Sequence, residues 1–150
     1  MTTSKIVIPT DGSEYAENAA KNGFEIAERM DATVHALAVG DTNLTHLSSV
    51  GGPPPKTVDD VAEIAAEWAD DLVDDAEAAG LEAEAVVRSG IPAEEIADYA
   101  EAIDADMIVM GTAGRSGFER MVVGSVTNKV VRTAPVPVVT VRPDGTVDAA

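Results

Sequence analysis

The chain has 150 residues, enough for one domain with a real core, and 45% of them are apolar, which excludes a disordered polyelectrolyte. Its formal charge is −17, from 27 acids against 10 bases, which argues against DNA, RNA or an anionic membrane as the main partner. Cysteine is absent, so disulfides, thiolate metal sites and thiol catalysis are excluded.

The opening, Met1-Thr2-Thr3-Ser4-Lys5, lacks a basic segment followed by an apolar stretch. No apolar run approaches the roughly 20 residues needed to span a bilayer, and the expectation is a soluble cytoplasmic protein. Lys5 to Pro9 reads as a short buried strand, ended by the turn and cap residues Thr10-Asp11-Gly12-Ser13. A helix follows, with Ala16, Ala20, Gly23, Ala27 and Met30 at helical spacing. Thr33 to Val39 is a second strand. From Gly40 to Lys56 the periodicity is lost, and Gly51-Gly52-Pro53-Pro54-Pro55 continues neither helix nor strand. Such a segment is either a functional flap or simply a mobile loop.

Thr57 caps the next helix, whose apolar stripe is Val58, Val61, Ala65, Trp68, Leu72, Ala76 and Ala79, with Gly80 at its C-terminal end. Trp68 on that stripe reads as core. Glu84 to Arg88 is a third strand. Ser89-Gly90-Ile91-Pro92 turns into a helix that buries Ile96, Ala97, Ala100 and Ile103. Asp106 to Met110 is apolar almost throughout, as expected of a central parallel strand covered on both faces. A helical pattern runs from Val126 to Ala134 and is stopped by Pro135. Val136 to Val141 is the last strand, and a tail runs from about Pro143 to Ala150. Strands and helices alternate five times, which predicts one α/β domain with a doubly wound parallel sheet. Ligands in such sheets sit beyond the strands' carboxyl ends, where the winding reverses. Pro9-Thr10-Asp11 and Met110-Gly111 are the candidate lips of that crevice.

Between the fourth strand and its helix lies Gly111-Thr112-Ala113-Gly114-Arg115-Ser116-Gly117, then a run to Val123, then Gly124-Ser125-Val126-Thr127. Strand, glycine-rich loop, helix is an arrangement that can hold an anion. The first-turn N–H groups of a helix lack intrahelical partners and carry the positive end of its dipole. Glycines let the backbone approach a ligand without a Cβ in the way. The loop is neither a Walker A sequence nor a Gly-x-Gly-x-x-Gly fingerprint. It is read as a phosphate-binding loop, the plain alternative being a tight strand-to-helix turn. His35 lies in a strand and reads as structural, while His46 in the irregular segment reads as incidental. Neither has metal-ligand spacing, and no Ser-His-Asp set is readable.

The full spacing is Gly111, two residues, Gly114, nine residues, Gly124-Ser125. With it, the chain resembles the universal stress protein family, in its adenine-nucleotide-binding class. The likeness covers essentially the whole chain, including Ile6-Val7-Ile8-Pro9-Thr10-Asp11-Gly12-Ser13, Gly90-Ile91-Pro92 and Ala134-Pro135-Val136-Pro137-Val138-Val139-Thr140-Val141. It implies a five-stranded sheet in the order 3-2-1-4-5, the adenine nucleotide alpha hydrolase-like fold. It implies ATP, or AMP or ADP, with Mg²⁺ or Mn²⁺ on the phosphates, and a regulatory role in the stress response. Gly111 and Gly114 would turn backbone amides to the phosphates. Gly124, Ser125, Val126 and Thr127 would offer N–H groups and hydroxyls, although Ser125 also suits a plain N-cap. Asp11 is either a contact to the nucleotide or its metal, or a cap on the first helix. Pro9, Thr10 and Met110 would line the crevice, and Val39 would meet adenine through its backbone. Arg115 and Arg120 either balance phosphate charge or stay solvated, and Ser116 and Gly117 complete the loop.

In the implied strand order the last strand is an edge. Val136, Val138, Val139 and Val141 make it apolar, which invites pairing with another chain, although Pro137 limits pairing near its start. A homodimer through Val136–Val141 is therefore expected. Fast phosphoryl transfer needs an in-line nucleophile or positioned water, and no residue is picked out for that task, so slow hydrolysis at most is expected. A weak ATPase or nucleotidyl transferase, and a nucleotide-free dimeric scaffold, are the alternative readings.

Only four of the bases are lysine, at positions 5, 21, 56 and 129, and acid pairs such as Asp70-Asp71 and Asp74-Asp75 mark solvated helix faces. Such a surface repels itself unless screened, and the screening length falls from about 10 Å at 0.1 M salt to about 3 Å at 1 M. A halophilic protein is the expectation. Its unfolding midpoint should rise steeply between dilute buffer and molar KCl, with refolding on adding salt. A midpoint insensitive to salt would count against it.

Overall fold

The computed structural model describes residues 4–42, 57–112, 124–142 and 147–149. The elements are β1 (Lys5–Pro9), α1 (Glu14–Met30), β2 (Thr33–Asp41), α2 (Val58–Ala78), β3 (Ala83–Gly90), α3 (Pro92–Ala102), β4 (Met107–Gly111), α4 (Ser125–Thr133), β5 (Val138–Val141) and β6 (Val147–Ala149). The sheet order is β3-β2-β1-β4-β5-β6. Its first five strands are parallel, in the expected 3-2-1-4-5 order, and β6 joins antiparallel.

Side chains alternate between the two faces of a strand, so a strand covered on both faces must be apolar at every position. β1 shows this directly. Ile6 and Ile8 enter the core under α1 and α2 with Ala20, Val34, Leu72 and Val109. Val7 enters the opposite core, with Leu37, Ile96, Ile108, Met110 and Val130 under α3 and α4. Ile6, Ile8, Leu37 and Ile108 are completely buried, and burying each such side chain contributes roughly 1.5–3 kcal/mol. α1 approaches the sheet closely at Gly23, where an added Cβ would stand 2.6 Å from Ile8 Cδ1.

α1 and α2 begin where the cap residues say. Ser13 accepts from the Ala16 N–H, and Thr57 and Asp60 form a reciprocal capping box. α1 turns into β2 through Asp31, and α3 runs into β4 through Asp104, each with φ of 53°. Lys5 Nζ donates to the Ile103 carbonyl beside the end of α3, while Asp106 accepts from the Lys5 N–H. Three stripe assignments differ from expectation. Val58, Met30 and Ala79 are exposed, because Val58 opens its helix, Met30 closes its own, and Ala79 lies just past the end of α2. The chain's end differs as well. β5 is shorter than expected, starting at Val138, and it is not the edge of the sheet, because β6 lies beyond it.

His35 is buried in β2, and its Nδ1 lies 2.7 Å from the Tyr99 hydroxyl on α3. Arg88 of β3 stands over the Tyr99 ring, 5.4 Å from its centroid, and faces Glu95 of α3 at 3.6 Å. This polar seam ties α3 to β2 and β3, which makes His35 structural, as expected. Burial lowers the His35 pKa below its usual 6.5; Glu84 opposes the shift and Lys5 adds to it. The unfolded chain therefore takes up a proton before the folded one does. Stability from this group is complete above pH 6.5 and is lost as pH falls through and below that value. In salt, wild type should lose stability from pH 7 toward pH 5, and His35→Asn should flatten that slope. Parallel pH profiles for the two proteins would contradict the assignment.

Candidate functional site

The winding reverses between β1 and β4, which are neighbours in the sheet. The chain leaves β1 toward the α1–α2 face and leaves β4 toward the α3–α4 face. A crevice therefore opens at their carboxyl ends.

The first lip is folded tightly by its own side chains. The Thr10 N–H reaches the Leu37 carbonyl of β2 at 2.8 Å. Thr10 Oγ1 accepts from the Gly12 N–H at 3.1 Å, and Asp11 Oδ1 accepts from the Ser13 N–H at 3.0 Å. Ser13, not Asp11, is the N-cap of α1. Asp11 thus orders the loop that precedes the cap. Gly12 has φ of +77°, and an added Cβ would lie 2.3 Å from Trp68 Nε1. Backbone conformation and the indole both demand glycine there. Trp68 is half-buried on this lip rather than sunk in the main core. Glu17, Glu67, Asp71 and Asp75 surround Thr10, Gly12 and Trp68 around a cavity of about 260 Å³. Four carboxylates make that side hostile to phosphate.

The second lip has the opposite character. Met110, Gly111 and Thr112 are buried at the end of β4, and the Thr112 N–H reaches the Val141 carbonyl at 3.0 Å. The Gly124 N–H donates back to the Thr112 carbonyl. Thr127 Oγ1 donates to the Gly111 carbonyl at 2.7 Å, in a buried bond. These two bonds close the neck of the glycine loop and seat α4 on β4. Two expected roles change. The Gly124 amide and the Thr127 hydroxyl are engaged in the neck, so neither is the donor that the motif suggests. Gly124 is the N-cap, and Ser125 is the first helical residue rather than the cap.

The first turn of α4 still offers the N–H groups of Ser125, Val126 and Thr127, which have no intrahelical acceptors by helix geometry. Gly124 supplies no side-chain cap and no acid occupies this turn. α1, α2 and α3 each carry two acids in their first turns. Among the described helices α4 alone joins an uncapped start to an acid-free turn, and an anion is stabilised there. Ser125 and Val126 are exposed. Val39 is half-buried on β2, paired with Arg88 and two residues beyond the Leu37 carbonyl that holds Thr10.

The fold thus brings Pro9, Thr10, Asp11, Val39, Met110, Gly111, Gly124, Ser125, Val126 and Thr127 to the same end of the sheet. Gly114, Arg115, Ser116 and Gly117 lie outside the described residues, as do Arg120, His46 and the greater part of the 40–56 segment. The sequence reading missed Thr112, whose carbonyl anchors the loop, and the Gly12–Trp68 contact. Gly12 carried a signal as a turn glycine; its partner carried none.

These features define a doubly wound α/β protein with an anion-receptive helix start at its switch point. Residues 2–142 match the model of the universal stress protein family, and the chain belongs to that family. It is 38% identical over 142 residues to a universal stress protein of Methanocaldococcus jannaschii, covering 92% of this chain and 81% of the relative. The structure of a universal stress protein from Lactobacillus plantarum superimposes with a TM-score of 0.70 at 27% identity, covering 95% of this chain and 99% of that one. Two more distant structures share the fold. A universal stress protein in complex with cAMP has a TM-score of 0.69 at 22% identity, covering 94% of this chain and 98% of the other. One from Archaeoglobus fulgidus in complex with dAMP has a TM-score of 0.62 at 23% identity, covering 93% and 97%. No helix among the described residues is long and apolar enough to cross a membrane.

The neck can be tested directly. Thr127→Val keeps the shape but strips the Gly111 carbonyl of its buried donor, which should cost about 1–3 kcal/mol. Thr127→Ser keeps the bond and should lose much less. Equal denaturant midpoints for the two variants would show that the bond does not hold the neck.

Proposed function

We propose that this chain is an adenine-nucleotide-binding regulatory protein of the stress response, holding ATP with Mg²⁺ or Mn²⁺ on its phosphates. The observation that carries the reading is the bare, acid-free first turn of α4, seated at the switch point by the Thr112 and Gly111 carbonyls. The phosphates rest on the amides of Ser125, Val126 and Thr127, with Gly111, Gly114, Arg115, Ser116 and Gly117 closing around them. Gly124 leaves room for their approach. Adenine lies toward Val39, and Pro9, Thr10 and Met110 line the crevice. Asp11 supplies a carboxylate on the opposite lip for the nucleotide or its metal. Family membership supports this reading, as do two structures of the same fold, one in complex with cAMP and one with dAMP.

A net charge of −17 does not forbid the ligand. Distant acids are screened, whereas each charge-assisted hydrogen bond at contact distance contributes roughly 1.5–3 kcal/mol. A few such bonds plus adenine burial reach the roughly −8 kcal/mol of micromolar binding. Among the described residues at this site no dedicated general base for phosphoryl transfer stands out, so turnover is slow or nil and occupancy itself is the signal. The protein acts as a homodimer through the Val136–Val141 segment.

Gly124 has φ of −61° and ψ of 155°, a conformation open to any residue, so Gly124→Val leaves the backbone unstrained. Calorimetric titration with ATP and magnesium in concentrated KCl should show at least about a tenfold loss of affinity in that variant. Unchanged affinity would overturn the site.

A further inference from the structure

Among the described strands β6 alone runs antiparallel, and it lies where the apolar β5 would otherwise end the sheet. All four β5 residues are buried. The pairing is short: Val139 faces Ala149, Thr140 faces Asp148 and Val141 faces Val147. Val138 has no partner in β6. Among the described elements, β5 is the one that makes extensive contact with β6. A three-residue ladder adds few backbone bonds, and each contributes only about 0.5–1.5 kcal/mol net. The strand beneath is different: β5 is locked to β4 along Ile108–Gly111 and persists without its cover.

The direction of β6 carries the inference. A two-fold axis between identical edge strands sets them antiparallel. β6 therefore offers β5 the same polarity of backbone partner that a second copy of β5 would offer. We infer that β6 is an exchangeable cover on the β5 edge, and that a second copy of this chain takes the same edge when β6 lets go. Intrachain cover and dimer contact are mutually exclusive. This rests on the dimer reading above and adds what regulates it: the C-terminal strand competes with the partner subunit, so the dimer is weaker than its apolar edge alone would make it. The same cover keeps a bare apolar edge from open-ended pairing while the chain is monomeric.

The absence of cysteine makes a clean test possible in the full-length chain. Directly opposed antiparallel residues lie within disulfide reach, so Thr140→Cys with Asp148→Cys should fasten β6 to β5 on oxidation. Asp148→Pro removes a backbone N–H from β6 and should loosen it. Sedimentation equilibrium in concentrated KCl would give the dimer dissociation constant of each form. The expected order is Asp148→Pro at least about tenfold tighter than wild type, and the oxidised double variant at least about tenfold weaker, returning to wild type on reduction. If wild type, Asp148→Pro and the locked form dimerise with the same constant, the exchange is wrong and the dimer stands elsewhere. If all forms remain monomeric at millimolar concentration, the dimer reading itself is wrong and the exchange falls with it.

Discussion

Two hydrogen bonds between α4 and the end of β4 set up the rest of the site. The Gly124 amide bonds the Thr112 carbonyl, and the Thr127 hydroxyl bonds the Gly111 carbonyl. Together they fix where the glycine loop leaves the sheet and where it rejoins the helix. The amides that follow are positioned before any ligand arrives, so little ordering entropy is left to oppose binding at this turn. The cost is that two donors the motif seems to offer are consumed in support. Burial explains that choice. The Gly111 carbonyl lies away from water and must be satisfied.

The crevice is electrostatically lopsided. On the α1–α2 side, four carboxylates ring the cavity beside Thr10 and Trp68. On the α4 side the first turn carries none. The net charge of the chain therefore says little about where an anion sits, because contact-distance donors outweigh screened distant acids. It does restrict where an anion is stabilised: the α4 lip suits one, and only an uncharged or cationic group suits the other. Gly12 belongs to that second wall. Its missing side chain admits the Trp68 indole against the turn that follows β1.

The two edges of the sheet are handled differently. β3 bounds one side with Glu84 and Arg88 among its residues, and exposure alternates from Ala85 to Gly90. Charged side chains discourage edge pairing. β5 has no such guard and is buried at every position, so its protection has to come from another strand. That strand is β6, paired over three residues.

Local pattern alone determined the five parallel strands and the four helices between them, the helix caps at Ser13 and Thr57, and the apolar runs of β1, β2 and β4. Alternation and helical periodicity are properties of neighbouring residues and survive without knowledge of the fold. The glycine loop was legible for the same reason, since strand, glycines and helix start are consecutive in the chain. Tertiary structure decided the rest. The His35–Tyr99 bond joins residues 64 apart, and the Thr127–Gly111 bond spans 16. Neither pair announces itself in sequence, nor does the seat of Trp68 on Gly12. Val58 and Met30 fit the helical stripes yet face solvent, because periodicity assigns a face but not where the neighbouring layer ends. β6 was invisible because three residues carry too little pattern, and their pairing exists only once β4 has placed β5 at the rim of the sheet.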